Sequence, residues 1–118
     1  MQFILMLYVN EAGWPTLSPA EQQQGMAAYF TYTEALIKAG ALRSSGRLQP
    51  SSTAATVRLS DGKPQVLDGP FADSKEQIGG YYIIDVPGRD EALAWAAHCP
   101  AAGHGTVEVR SLAPTSGQ

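Results

Sequence analysis

Cysteine is nearly absent: the chain of 118 residues carries one, Cys99. No intrachain disulfide can form, which suits a reducing compartment and makes the cytoplasm the expected location. Charge is also scarce, at 16% of residues, with a formal net charge of -3. No basic run occurs and none is interleaved with aromatics, so nucleic acid and anionic membrane are not expected partners. The N-terminal apolar run "FILMLYV" has no positive residue ahead of it and no cleavage site behind it. It is far too short to span a bilayer and reads as a buried strand. The two histidines, His98 and His104, have only Cys99 near them and lack zinc-ligand spacing, so no metal is expected. Nucleophile elbow, P-loop and dinucleotide fingerprint are missing, and no cofactor is expected.

What is present reads as one domain over 1–113, followed by a short flexible tail over 114–118. Gln2 to Val9 is apolar on both alternations, as a strand covered on both faces must be. "SPAE" then starts a helix, with Ser18 as N-cap, Pro19 at the first position and Glu21 closing a capping box. The helix is expected to end at Gly40, with Met26, Phe30, Thr33 and Ile37 as its buried stripe and Tyr29 and Leu36 flanking it. Gly25 in its interior marks either close packing or nothing. "ALRSSGRL" begins as a strand and is expected to break at Gly46.

"TAATVRLSDGKPQVLDG" is a hairpin turning at Asp61-Gly62, with Pro64 placing its second strand at an edge. Gly80 to Val86 is again apolar on both alternations. A short helix follows, expected to face Leu93, Ala96 and Ala97 inward and to end at Pro100. Thr106 to Leu112 is a strand with a wetter face carrying Glu108 and Arg110. The order is β-α-β, a hairpin, then β-α-β, which is an α+β, ferredoxin-like split βαβ plan with an antiparallel sheet. Two helices cover one face of such a sheet. The strands at Phe3 and Tyr81 carry apolar residues on both, so a second copy, sheet against sheet, is the expected cover.

The segments "QFILMLYVNEAGW", "DGPFADSKEQIGGYYIIDV", "DEALAWAAHCP" and "VEVRSL" resemble the DGPF-domain branch of the YCII-related proteins. The resemblance implies the dimeric α+β barrel superfamily and a sheet-to-sheet homodimer. Some relatives occur beside or fused to alternative sigma factors, which implies a possible regulatory accessory role. In the wider group a His–Asp pair beside the sheet has been proposed as an acid/base site. The helix pattern H-L-x-Y-L-x-x-L-x-x-x-G-x-L aligns with "YFTYTEALIKAGAL", which puts Tyr29 at the histidine position. Asp68 is the nearest counterpart of the aspartate.

Asp68 opens "DGPF" and reads either as a turn residue or as a cleft carboxylate acting as acid or base. Phe71 would then plug the core. Asp73 and Glu76 read as a one-turn helix start, and Glu76 also stands just before Gly79-Gly80, where backbone can approach a ligand closely. Tyr81 and Tyr82 must point to opposite faces, one under the helices and one toward the cleft. Arg110 is either an edge partner of Glu108 or an anchor for a substrate carboxylate. Three functions fit these residues. One is a homodimer that binds a small molecule or partner, with Tyr81, Glu108, Arg110 and Glu76 as contacts. Another is a cofactor-free isomerase- or lyase-like enzyme using Asp68 and Tyr29. The last is a structural or regulatory accessory protein.

Overall fold

A computed structural model describes residues 1–114. Strand β1 (Gln2–Val9) leads through a 3-10 turn to α1 (Pro19–Lys38) and β2 (Leu42–Arg47). A hairpin of β3 (Ala55–Ser60) and β4 (Lys63–Asp68) follows, then β5 (Gln77–Asp85), α2 (Arg89–His98), α3 (Ala101–His104) and β6 (Thr106–Ser111). Four strands form one antiparallel sheet in the order β2-β5-β1-β6, and β3 and β4 form a separate two-stranded sheet. This is the α+β, ferredoxin-like order expected, with the hairpin as an excursion between its halves. Apart from Pro114, the expected tail lies outside the described residues.

Local chemistry accounts for the element ends. Ser18 accepts from the Glu21 backbone at 3.2 Å while the Glu21 carboxylate accepts from the Ser18 backbone at 2.9 Å, the full capping box. At the other end of α1, Gly40 adopts φ 70 and its N–H reaches the Ile37 carbonyl; the Ala41 N–H reaches that of Leu36. That pair of bonds is a Schellman motif, and it explains why the helix stops where glycine sits. Asp61 and Gly62 both take positive φ, as a two-residue primed turn requires. Strand β2 runs on through Gly46 to Arg47, past the expected break; its irregularity lies instead between Leu42 and Ser44.

The core lies between the helices and one sheet face, where Phe3, Leu5, Leu7, Tyr82 and Ile84 meet Leu36, Ala92, Ala96 and Ala101. Helix α1 presents a different stripe from the one expected. Tyr32 and Leu36 are buried and Tyr29 and Thr33 half-buried, while Met26, Phe30 and Ile37 are exposed. Both stripes have helical spacing, so periodicity alone cannot choose between them. Aromatic packing decides. Tyr32 sits edge-on to Tyr82 at 5.2 Å and to Trp95 at 6.0 Å, and its hydroxyl donates to the Trp95 carbonyl at 2.7 Å. The Trp14 ring lies against Gly25, so the glycine marks close packing. Helix α2 is rotated likewise: Ala92 and Ala96 are buried, whereas Leu93 and Ala97 are exposed.

The hairpin stands apart from this core. The radius of gyration is 16.4 Å, against roughly 13.5 Å for a compact domain of this length. The Glu11 carboxylate accepts from both the backbone N–H and the hydroxyl of Ser51, tying the hairpin's approach to the loop after β1. Beyond that tether, Val57, Leu59, Val66 and Leu67 are exposed.

Candidate functional site

Strand register sorts the sheet's side chains into two faces. Tyr82 points under the helices and Tyr81 to the open face, together with Ile4, Met6, Tyr8 and Ile83. Tyr81 lies opposite Met6, which lies opposite Glu108, so these three make one row across the sheet. Ile83, Ile4 and Arg110 make the next. Tyr81 also lies over Gly46, where an added Cβ would come within 2.7 Å of its ring. Arg110 donates to Glu108 within this face, and with its side chain 71% exposed the pair contributes little to stability. The open face therefore has an apolar centre with a solvated ion pair along its β6 edge.

The other site residues lie elsewhere. Glu76 precedes β5, and its carboxylate accepts from the Thr106 hydroxyl at 2.9 Å, joining the loop to β6. No helix forms at Asp73; Ser74 and the Ala72 carbonyl are instead engaged by the loop's own bonds, including one from the Gln77 side chain at 2.8 Å. Asp68 ends β4 opposite Ala55. It lines a shallow hollow of about 260 Å³ on one hairpin face, with Arg58, Gln65, Leu67 and Phe71. Gly69 follows at φ 106, donating to the Ala54 carbonyl at 2.7 Å, a conformation that favours glycine. Phe71 is 79% exposed and does not plug the core. The turn folds it back on the hairpin, with its ring 5.6 Å from the Arg58 guanidinium carbon. Among the described residues no hydrogen bond or ion pair joins Asp68 to Tyr29 or to the open sheet face.

Tyr29 belongs to a polar cluster beneath α1. The Thr33 hydroxyl donates to the Tyr29 carbonyl at 2.9 Å and lies 2.9 Å from the Tyr82 hydroxyl. Having spent its one proton on that carbonyl, Thr33 accepts from Tyr82. The Tyr29 hydroxyl has one partner among the described residues, Nε2 of His104 at 3.5 Å, with the rings edge-on at 6.5 Å. That distance is the outer limit of a hydrogen bond. Burial pushes the Tyr29 phenol up to about 12, Cys99 and Tyr82 adding to the effect and Arg47 opposing it. The hydroxyl is thus a proton donor at neutral pH, not a base. Burial also raises Tyr82 and Cys99, which keeps the Cys99 thiol neutral and unreactive.

His104 is the residue that sequence reasoning passed over. Its local signal is "GHG": Gly105 donates to the Ala101 carbonyl at 2.7 Å and presses its α-carbon against the Tyr8 carbonyl. A Cβ there would collide with that oxygen, so glycine is needed to seat α3 on β1. Arg47 completes the surroundings, its guanidinium 5.6 Å from the centre of the Trp14 ring that packs on Gly25.

Known proteins fall in line with this architecture. An uncharacterized protein of Rhizobium meliloti (strain 1021) is 37% identical over 115 residues, covering 96% of this chain and 93% of its own. Among solved structures, the 5-chloro-2-hydroxyhydroquinone dehydrochlorinase of Burkholderia phenoliruptrix AC1100, in complex with 2,5-dihydroxybenzoquinone, is similar with a TM-score of 0.56. It is 17% identical, with 99% of this chain and 98% of that one covered, a likeness of fold. The family model of the YCII-related domain matches residues 1–116, and the chain belongs to that family.

Proposed function

We propose that this protein is a cytoplasmic homodimer of the DGPF branch, within the dimeric α+β barrel superfamily, that binds a small molecule beside the sheet, at Tyr29 of α1. The observation that carries this reading is Tyr29, a half-buried side chain whose hydroxyl has only a long, exposed contact with His104 while the hydroxyls of Tyr32, Thr33 and Tyr82 are firmly bonded. A polar group left nearly free in such surroundings is available to a ligand. A second reading is a cofactor-free isomerase- or lyase-like enzyme with Asp68 as acid or base. The fold-level likeness to a dehydrochlorinase favours it, and so does the hollow that Asp68 lines. A regulatory accessory role finds no observation here to favour it.

Thermal-shift screening against small carboxylic acids and keto/enol compounds separates these readings. The expected result is a hit whose shift survives Asp68→Asn and is reduced in Tyr29→Phe. Product formation abolished by Asp68→Asn would establish the enzyme instead, and a screen without hits would overturn both.

The dimer rests on the open face, where Ile4, Met6, Tyr81 and Ile83 form a contiguous apolar surface on adjacent strands. A second copy laid sheet to sheet would remove it from water. Ile83→Asp places a charge at its centre and is expected to give a monomer in light scattering at low micromolar concentration. A wild-type monomer under those conditions would overturn the pairing.

A further inference from the structure

We propose that Tyr29, His104 and Arg47 form a recognition site for a weakly acidic hydroxyl compound, a phenol or an enol, which is bound as its oxyanion. The inference rests on the reading that a small molecule binds beside α1, and it names the chemistry that such a site selects.

The three side chains come from three elements that converge at one end of the sheet. Tyr29 lies on α1, His104 ends α3 and Arg47 ends β2. Tyr29 supplies a hydroxyl whose proton stays in place. His104 offers Nε2 to the same point in space, a ring nitrogen that can accept a proton or a hydrogen bond. Arg47 supplies a permanent positive charge, placed by the Trp14 ring under its guanidinium, which packs on Gly25 one turn of α1 before Tyr29. Cys99 from the end of α2 and Tyr82 from β5, both kept neutral by burial, act on the Tyr29 phenol, and the Glu76 carboxylate is bonded to Thr106, two residues from His104.

The contact of 3.5 Å between Tyr29 and His104 is too long to be a strong bond. A ligand oxygen entering between them can engage both at normal distances, as sites often tighten only when occupied. In the bound state the ligand O–H bond breaks and its proton passes to Nε2 of His104. The electron pair stays on the ligand oxygen, which accepts a hydrogen bond from the Tyr29 hydroxyl and faces the imidazolium and Arg47. Charge is conserved, because a neutral ligand and neutral imidazole become an anion and a cation side by side. The seat for His104 is built into the backbone: Gly105 must lie flat on Tyr8 for α3 to reach this position.

The probe is 4-nitrophenol, whose phenol is colourless and whose phenolate is yellow, titrated with the full-length protein on the acid side of the probe's own transition. Wild type is expected to bind it and turn it yellow. His104→Gln alters an exposed side chain, so the variant folds; it is expected to bind about tenfold more weakly, the loss of one charge-assisted bond, with the probe colourless. Tyr29→Phe is expected to weaken binding by a similar factor while the colour persists. A yellow complex with His104→Gln, or a colourless one with wild type, would show that His104 takes no proton and leave the small-molecule reading standing. Absence of binding to wild type would overturn the phenol or enol assignment, while hits among the carboxylic acids would still support a ligand site.

Discussion

Gly105→Ala is expected to lower the melting temperature by roughly 10 °C, a loss of about 3 kcal/mol. The new Cβ would fall well inside contact distance of the Tyr8 carbonyl oxygen, a backbone atom held in the middle of the sheet. Tyr8 pairs with Ile78 on one side and Thr106 on the other, so it cannot retreat without breaking two ladders. Relief must come from lifting α3 and the start of β6, which also withdraws His104 from Tyr29. Gly103→Ala, two residues away, is the control. Nothing lies within 4 Å of its added Cβ, and alanine is the better helix former. Its melting temperature should equal or exceed that of wild type. Thermal denaturation of the two variants side by side checks the point, and a Gly105→Ala protein melting within about 2 °C of wild type would refute the packing described.

Leu36→Ala is expected to cost about 2–5 kcal/mol in urea denaturation, with the midpoint shifted and the slope unchanged. Leu36 has no exposed surface and sits among Phe3, Leu5 and Ile84 in the core cluster, so its removal leaves a cavity. Phe30→Ala, in contrast, removes a ring that is 68% exposed and should change stability by no more than about 0.5 kcal/mol. The comparison reads out which way α1 is rotated. Equal losses from the two variants, or a larger loss from Phe30→Ala, would mean that the face expected from periodicity is the buried one after all.

That rotation marks where sequence reasoning ran out. Strands β1 and β5, the capping box at Ser18, the glycine stop at Gly40 and the primed turn at Asp61-Gly62 were all legible. Each depends on residues adjacent in the chain. The face of α1 was not, because its choice depends on Trp14, Tyr82 and Trp95 arriving from other elements to pack on Gly25 and Tyr32. Phe71 and Asp73 failed for a similar reason. A turn that reads as the entry to a core or a helix is here folded back over Arg58 and held by Gln77. Tyr29 was picked out by its place in a family pattern. Its partner His104 lies 75 residues away and carries no motif beyond its two flanking glycines.

The position of β1 bears on how the chain meets the ribosome. β1 is made well before the strands it needs, for Gln2 pairs with Asp85 and Phe3 with Ser111. At translation rates of about 5–20 residues per second, β1 waits several seconds before β5 has been made. During that interval "FILMLYV" has no strand to pair with, and the local hairpin of β3 and β4 can close first, within microseconds of its emergence. The newborn chain therefore presents its most apolar segment early and satisfies it late.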